Sequence, residues 1–260
     1  MNISKVTCVF FSATGLTQKV ADLFLSGLPV AAEKLNITPY TSGKAHVFGP
    51  DELVVFAAPV YGGILPAPAA ERFALLKGQN TPAVCLAVYG NRDYDDALLE
   101  MKNLVQKAGF VPVAFGAPVA QHSLMPRVAA GRPDKEDAEH LQAFARQVWE
   151  KLGDLTALCP QAVPQVPGNF PYKKFGGVPF KPQVSKACVH CGACAAHCPV
   201  GAIPKNAPDT TDKSACIACM ACIKICPSHA RSITPKGALW LAEKAFLLKY
   251  GKRRDLEVFI

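Results

Sequence analysis

The run CVHCGACAAHCP, Cys188 to Pro199, returns as CIACMACIKICP, Cys216 to Pro227. Both units read C-x2-C-x2-C-x3-C-P, and 17 residues separate Cys198 from Cys216. Eight of the eleven cysteines of this 260-residue chain fall here. The start, Met1 to Lys5, leads straight into an apolar run without a signal-peptide layout, which points to a cytoplasmic chain. In that compartment such a density of thiols argues for metal rather than disulfides.

A pair of zinc ions is the competing reading. A zinc site uses two C-x2-C pairs per ion and has no need of a third cysteine at the same spacing. A cubane cluster needs four converging thiolates, so the duplicated run predicts two [4Fe–4S] clusters. Residues 185–232 resemble bacterial two-cluster ferredoxins. In those proteins the fourth cysteine of each run reaches the other cluster. The resemblance therefore implies one cluster on Cys188, Cys191, Cys194 and Cys226, and a second on Cys216, Cys219, Cys222 and Cys198. His190 and His197 lie inside the first run and are read as non-ligands, because eight cysteines already suffice. Cys8 and Cys85 fall on apolar strands and are read as core.

Upstream, residues 1–153 alternate strand and helix. Val6–Phe11, Leu53–Ala58, Ala83–Tyr89 and Val111–Phe115 are short continuous apolar runs, typical of strands buried on both faces. Ile37–Tyr40 is a further, short edge strand. Leu16, Val20, Leu23, Phe24 and Leu28 recur at helical spacing before Pro29, and Ala67–Lys77 reads as the next helix. Ala97 to Ala108 forms a helix closed by Gly109. Asp134, Glu136 and Asp137 open a last one, with Leu141, Phe144 and Val148 as its buried stripe. Such alternation implies a parallel sheet covered by helices on both faces.

The first strand ends in Ser12-Ala13-Thr14-Gly15-Leu16-Thr17 and enters a helix. Hydroxyls, a glycine and a helix N-terminus together cradle an anion. The loop lacks the Lys-Ser/Thr ending of a P-loop and the G-x-G-x-x-G of a dinucleotide site. It resembles the phosphate loop of flavodoxins. Two more loops stand where that resemblance wants them: Ala58-Pro59-Val60-Tyr61-Gly62-Gly63, and Tyr89-Gly90-Asn91-Arg92-Asp93-Tyr94-Asp95-Asp96. In flavodoxin-like proteins these loops flank the isoalloxazine ring. The resemblance implies a doubly wound α/β fold with a parallel five-stranded sheet in the order 2-1-3-4-5, and FMN as cofactor, with Tyr61 and Tyr94 as ring contacts. Asp93, Asp95 and Asp96 would lower the flavin's potential, and Arg92 would oppose them.

The chain divides into four segments: 1–153 as the FMN domain, a proline-rich connector at 154–184, the small α+β two-cluster domain at 185–232, and a C-terminal helix with basic tail at 233–260. Taken whole, the chain resembles flavodoxin–ferredoxin fusion proteins. No apolar run approaches the ~20 residues of a membrane span. The net charge of +8 lies wholly beyond residue 153, where 14 Lys and Arg face 6 Asp and Glu. Negative clusters offset part of that excess, so it gives little support to a nucleic-acid partner. Lys252-Arg253-Arg254 is read as a solvated tail, with a docking patch for an acidic partner as the alternative.

These cofactors predict a low-potential electron carrier working between redox protein partners. The alternative is an FMN-dependent reductase of a small molecule or quinone, fed by its own clusters. A reductase needs a proton donor over the ring. His122, after the fifth strand, is the one candidate, and the short loops leave little material for a lid.

Overall fold

The computed structural model describes residues 1–159, 162–233 and 236–260. Pro160 of the connector and residues 234–235 of the C-terminal segment lie outside them. The elements run β1 (Lys5–Phe10), α1 (Leu16–Leu25), β2 (Ala32–Asn36), β3 (His46–Phe48), β4 (Glu52–Pro59), α2 (Ala67–Phe73), β5 (Leu76–Gly78), β6 (Thr81–Val88), α3 (Ala97–Lys107), β7 (Phe110–Ala117) and α4 (Lys135–Asp154). Then come β8 (Pro182–Val184), α5 (Ala193–Ala196), α6 (Ala221–Lys224), β9 (Arg231–Ile233), α7 (Lys236–Tyr250) and β10 (Glu257–Phe259).

The main sheet has the order β10-β7-β6-β4-β1-β2. All its pairs are parallel except β10 against β7. Numbered alone, the five parallel strands give 2-1-3-4-5, the doubly wound flavodoxin-like order. Successive side chains on a strand face opposite ways. Val6, Cys8 and Phe10 therefore join the core under α1 and α4, with Phe24, Leu141, Phe144 and Val148. Val9 and Phe11 join the opposite core, with Phe73 of α2 and Leu98, Met101 and Val105 of α3. Cys8 and Cys85 are buried in these cores, and burial pushes the Cys8 thiol up to about 12.

Several expectations need correction. The sheet has six strands, because the C-terminus returns as β10 to cover the β7 edge. The edge strand is Ala32–Asn36, not Ile37–Tyr40. Its Glu33 and Lys34 are exposed, so it carries none of the apolar pattern of the inner strands. The helix expected over 67–77 stops at Phe73, and Leu76–Gly78 pairs with β3 in a small parallel sheet. Pro182, inside the segment read as a proline-rich connector, opens β8, which pairs antiparallel with β9 and brackets the cysteine-rich unit. In the basic tail Lys252 and Arg253 are exposed as expected, but its arginines are engaged: Arg253 pairs with Asp134, Glu136, Asp137 and Asp255, and Arg132 donates to the Arg254 carbonyl at 2.6 Å.

Phe144 packs edge-on against Phe24, with ring centroids 5.3 Å apart. Truncation there leaves a cavity between α4, α1 and the sheet. Phe144→Ala is expected to lower stability by about 3–5 kcal/mol in anaerobic urea unfolding. A loss below about 1 kcal/mol would show that α4 does not seal this core.

Candidate functional site

The carboxyl ends of β1, β4 and β6, with the segment after β7, open into a cavity of about 420 Å³. Open α/β sheets bind ligands at this edge. From the first loop, Ala13, Thr14, Leu16 and Thr17 line it. Gly15 caps α1 in the left-handed region at φ 83° and has no side chain to give; the Ser12 hydroxyl takes the Gln18 amide of the first turn, and no acidic residue lies there. That leaves the remaining N-terminal amides for an anion. Ser12 does not line the cavity. Its amide donates to the Thr38 hydroxyl at 2.7 Å and its own hydroxyl accepts from the Gln18 amide at 3.0 Å, so it shapes the loop.

The second loop contributes Pro59, Val60, Tyr61, Gly62 and Gly63, and the third Tyr89, Gly90, Arg92 and Asp93. Gly62 and Gly63 have positive φ, and a Cβ on Gly62 would collide with the Phe175 ring. Four residues of the third loop lie elsewhere. Tyr94 is not on the cavity: it is 5% exposed, packs edge-on against Tyr89, and donates its hydroxyl to Glu257 at 2.7 Å. The Asn91 amide donates to the carbonyls of Tyr250 and Lys252. Asp95 pairs with Arg92 and, at 3.3 Å, with Lys173. Asp96 accepts from the Lys173 and Asn169 amides. Burial alone would raise its carboxyl, but those donors hold it below the usual range. Of the three aspartates, only Asp93 faces the cavity.

His122 does line it. Its Nδ1 accepts from the Leu124 and Met125 amides, both at 3.2 Å, and its ring packs edge-on against Phe246. Burial, with Arg92 adding, pushes the imidazole down to about 4. At neutral pH it is therefore uncharged, with Nδ1 committed as an acceptor.

The sequence reading missed the cover of the cavity. Lys173, Phe175 and Val178 come from the connector, Leu124 and Met125 from the segment after β7, and Phe246 from α7. The aromatic residues of the proline-rich segment were the available signal, but nothing local says that Asp96 ties this segment over the third loop. Ile217 and Ala218 also line the cavity, and they sit between Cys216 and Cys219. Burial pushes the Tyr61 phenol well above its usual range, and the nearby Cys219 sulfur adds to this.

The eight motif cysteines fall into two smaller cavities. Cys188, Cys191, Cys194 and Cys226 border one; Cys198, Cys216, Cys219 and Cys222 border the other. The two runs repeat the same backbone. Positive φ recurs at His190 (52°) and Ala218 (53°), at Gly192 (74°) and Met220 (66°), and at Gly201 (65°) and His229 (49°). Side chains at such angles strain the chain by about 1–3 kcal/mol each and persist where the surroundings demand them. The Ala202 amide donates to Cys198 Sγ at 3.2 Å, and the Ala230 amide to Cys226 Sγ at 3.3 Å. Burial pushes Cys219 up to about 12 and Cys222 to about 11, and neighbouring sulfurs add to both. Held up in this way, Cys219 and Cys222 do not ionise unaided at neutral pH, but cations beside them would let them. Among the described residues no three His, Cys, Asp or Glu side chains close on a single ion. His190 and His197 are exposed; His190 lies 3.8 Å from Asp209, and His197 bonds the Ala193 carbonyl.

Residues 182–227 match the 4Fe-4S dicluster domain family. No curated protein sequence matches the chain. A flavodoxin from Streptococcus pneumoniae TIGR4 aligns at 18% identity over 57% of this chain and 99% of its own, with a TM-score of 0.40. A short-chain flavodoxin associated with a non-canonical PDU bacterial microcompartment aligns at 18% over 58% and 99%, with a TM-score of 0.39. The Flv1 flavodiiron core of Synechocystis aligns at 15% over 57% and 36%, with a TM-score of 0.40. The sheet order itself defines the first unit, so the chain joins a flavodoxin-like α/β unit to a ferredoxin-type dicluster unit. Among the described residues no helix is long and apolar enough to cross a membrane.

The His122 environment makes a pH prediction. An imidazole with a folded pKa near 4 and an ordinary unfolded one near 6.5 contributes stability above the unfolded value, lost as pH falls toward 4. His122→Gln should flatten the fall in stability between pH 6.5 and 4 in urea unfolding. An NMR titration midpoint for His122 near 6.5 would contradict this placement.

Proposed function

We propose that this chain is an electron-transfer protein that holds two [4Fe–4S] clusters and one FMN and moves electrons between them on behalf of redox partner proteins. FMN, when bound, exchanges electrons singly or in pairs, whereas each cluster exchanges one. The observation that carries the reading is the shared loop between Cys216 and Cys219. Ile217 and Ala218 line the large cavity, and Ile217 also borders the cavity of Cys198, Cys216, Cys219 and Cys222. One cluster would thus adjoin the flavin, with the cluster on Cys188, Cys191, Cys194 and Cys226 farther along the chain of carriers.

The residues fit each group. Thr14, Thr17 and the open α1 N-terminus would take the FMN phosphate, and Tyr61, Gly62, Gly63, Gly90 and Phe175 would border the ring. Apolar side chains from the connector and α7 cover part of the same cavity. A neutral His122 with a committed Nδ1 does not favour the reductase reading, since general acid catalysis needs a donor poised near working pH. The basic character beyond residue 153 suits an acidic donor or acceptor protein.

The test is anaerobic assay of the purified protein, with about eight irons, about eight acid-labile sulfides and one FMN expected per chain. Zinc in place of iron, or iron near four, would sink the cluster reading. Cys198→Ser should damage the cluster of Cys216, Cys219 and Cys222 and spare the EPR signal of the other. Loss confined to the cluster of Cys188 would contradict the crossed ligation.

A further inference from the structure

Lys224 stands in the second cysteine run, between Cys222 and Cys226. It ends the short helix α6. Its ammonium does not stay within that unit. It crosses to the first domain and donates to the carbonyl of Thr14, in the loop that opens α1. A Cβ built on Gly15 would lie 3.8 Å from the same nitrogen. Among the described residues Lys224 pairs with no carboxylate. The loop itself holds no lysine or arginine between Ser12 and Gln18, and Gly15 at the start of α1 has no side chain to cap the helix.

We infer that Lys224 is a phosphate-recognising residue of the FMN site, supplied by the cluster-binding unit. The inference rests on the proposed FMN site and deepens it. An ammonium has three donors. One is used on the Thr14 carbonyl, which leaves two for a ligand anion at that loop. A phosphate there would meet the positive end of α1, the hydroxyls of Thr14 and Thr17, and this one full charge. The cation hangs on a four-residue helix whose flanking cysteines, Cys222 and Cys226, border different cluster cavities. The phosphate grip is therefore built on the same short segment that the clusters would fix.

Comparing FMN with riboflavin isolates the phosphate, because the two share the ring. Binding to cluster-loaded, flavin-free protein is measured anaerobically by quenching of flavin fluorescence. In Lys224→Ala the Kd for FMN should rise about tenfold, the size expected for one charge-assisted hydrogen bond. Lys224→Glu should weaken it further, and Lys224→Arg should restore most of it. The Kd for riboflavin should stay as in the wild type in all three. An unchanged FMN affinity in Lys224→Ala and Lys224→Glu would overturn the role of Lys224 and leave the FMN site intact. Equal weakening of FMN and riboflavin would also overturn it, since the lysine would then be holding the ring pocket closed. Wild-type protein that binds neither flavin would overturn both this inference and the FMN site it rests on.

Discussion

The guanidinium of Arg72 holds the two units in register. It rises from α2, is 8% exposed, and spends its donors on three backbone carbonyls: Ile37 and Thr38, both at 2.8 Å, and Pro199 at 2.6 Å. Thr38 in turn accepts from the Ser12 amide, so the first carbonyls belong to the support of the loop proposed to take the phosphate. Pro199 comes directly after Cys198, the cysteine read as crossing to the second cluster. One buried cation thus ties the loop at the end of β1 to the turn after the first cysteine run. Burial lowers the pKa of Arg72, as it does for any cation removed from water. The three bonds to carbonyls offset that cost, and the fixed fork of the guanidinium sets the distance between the partners. Lys224 works at the same seam from the other side.

The rest of the cavity is closed by segments far apart in sequence. Asp96 pulls the connector over the third loop and so brings Phe175 against Gly62. Asn91, expected at the flavin, instead holds the chain after α7 through the carbonyls of Tyr250 and Lys252. Glu257 on β10 takes the Tyr94 hydroxyl. The flavodoxin-like unit is therefore finished by the C-terminus. With β10 paired to β7, the chain beyond α7 is anchored at the sheet edge, and α7 can hold Phe246 over His122.

What was legible in the sequence was local. Val6–Phe11 and Leu53–Ala58 are apolar on both faces because the strands they form are covered on both sides. The cysteine runs were legible because metal chemistry fixes their spacing. The features that escaped depended on partners distant in the chain. Glu257 to Phe259 is too short to announce a strand, and only the bare edge of β7 makes it one. Tyr94 sits in the right loop for a ring contact, but the choice between facing the cavity and facing the core is made by Glu257, 163 residues away. Ile217 and Ala218 read as spacers between ligands, and only the docking of the two units puts them on the cavity wall. Short loops suggested an open site, but its cover comes from the connector and α7.

In the proposed function, electron exchange between the two units would depend on a cluster of Cys198, Cys216, Cys219 and Cys222 standing beside the flavin. An anaerobically grown crystal of the loaded protein measures this directly. FMN is expected in the cavity between Thr14, Tyr61 and Phe175, with that cluster the nearer of the two and Ile217 and Ala218 between it and the ring. A flavin bound elsewhere, or one nearer the cluster of Cys188, Cys191, Cys194 and Cys226, would contradict it.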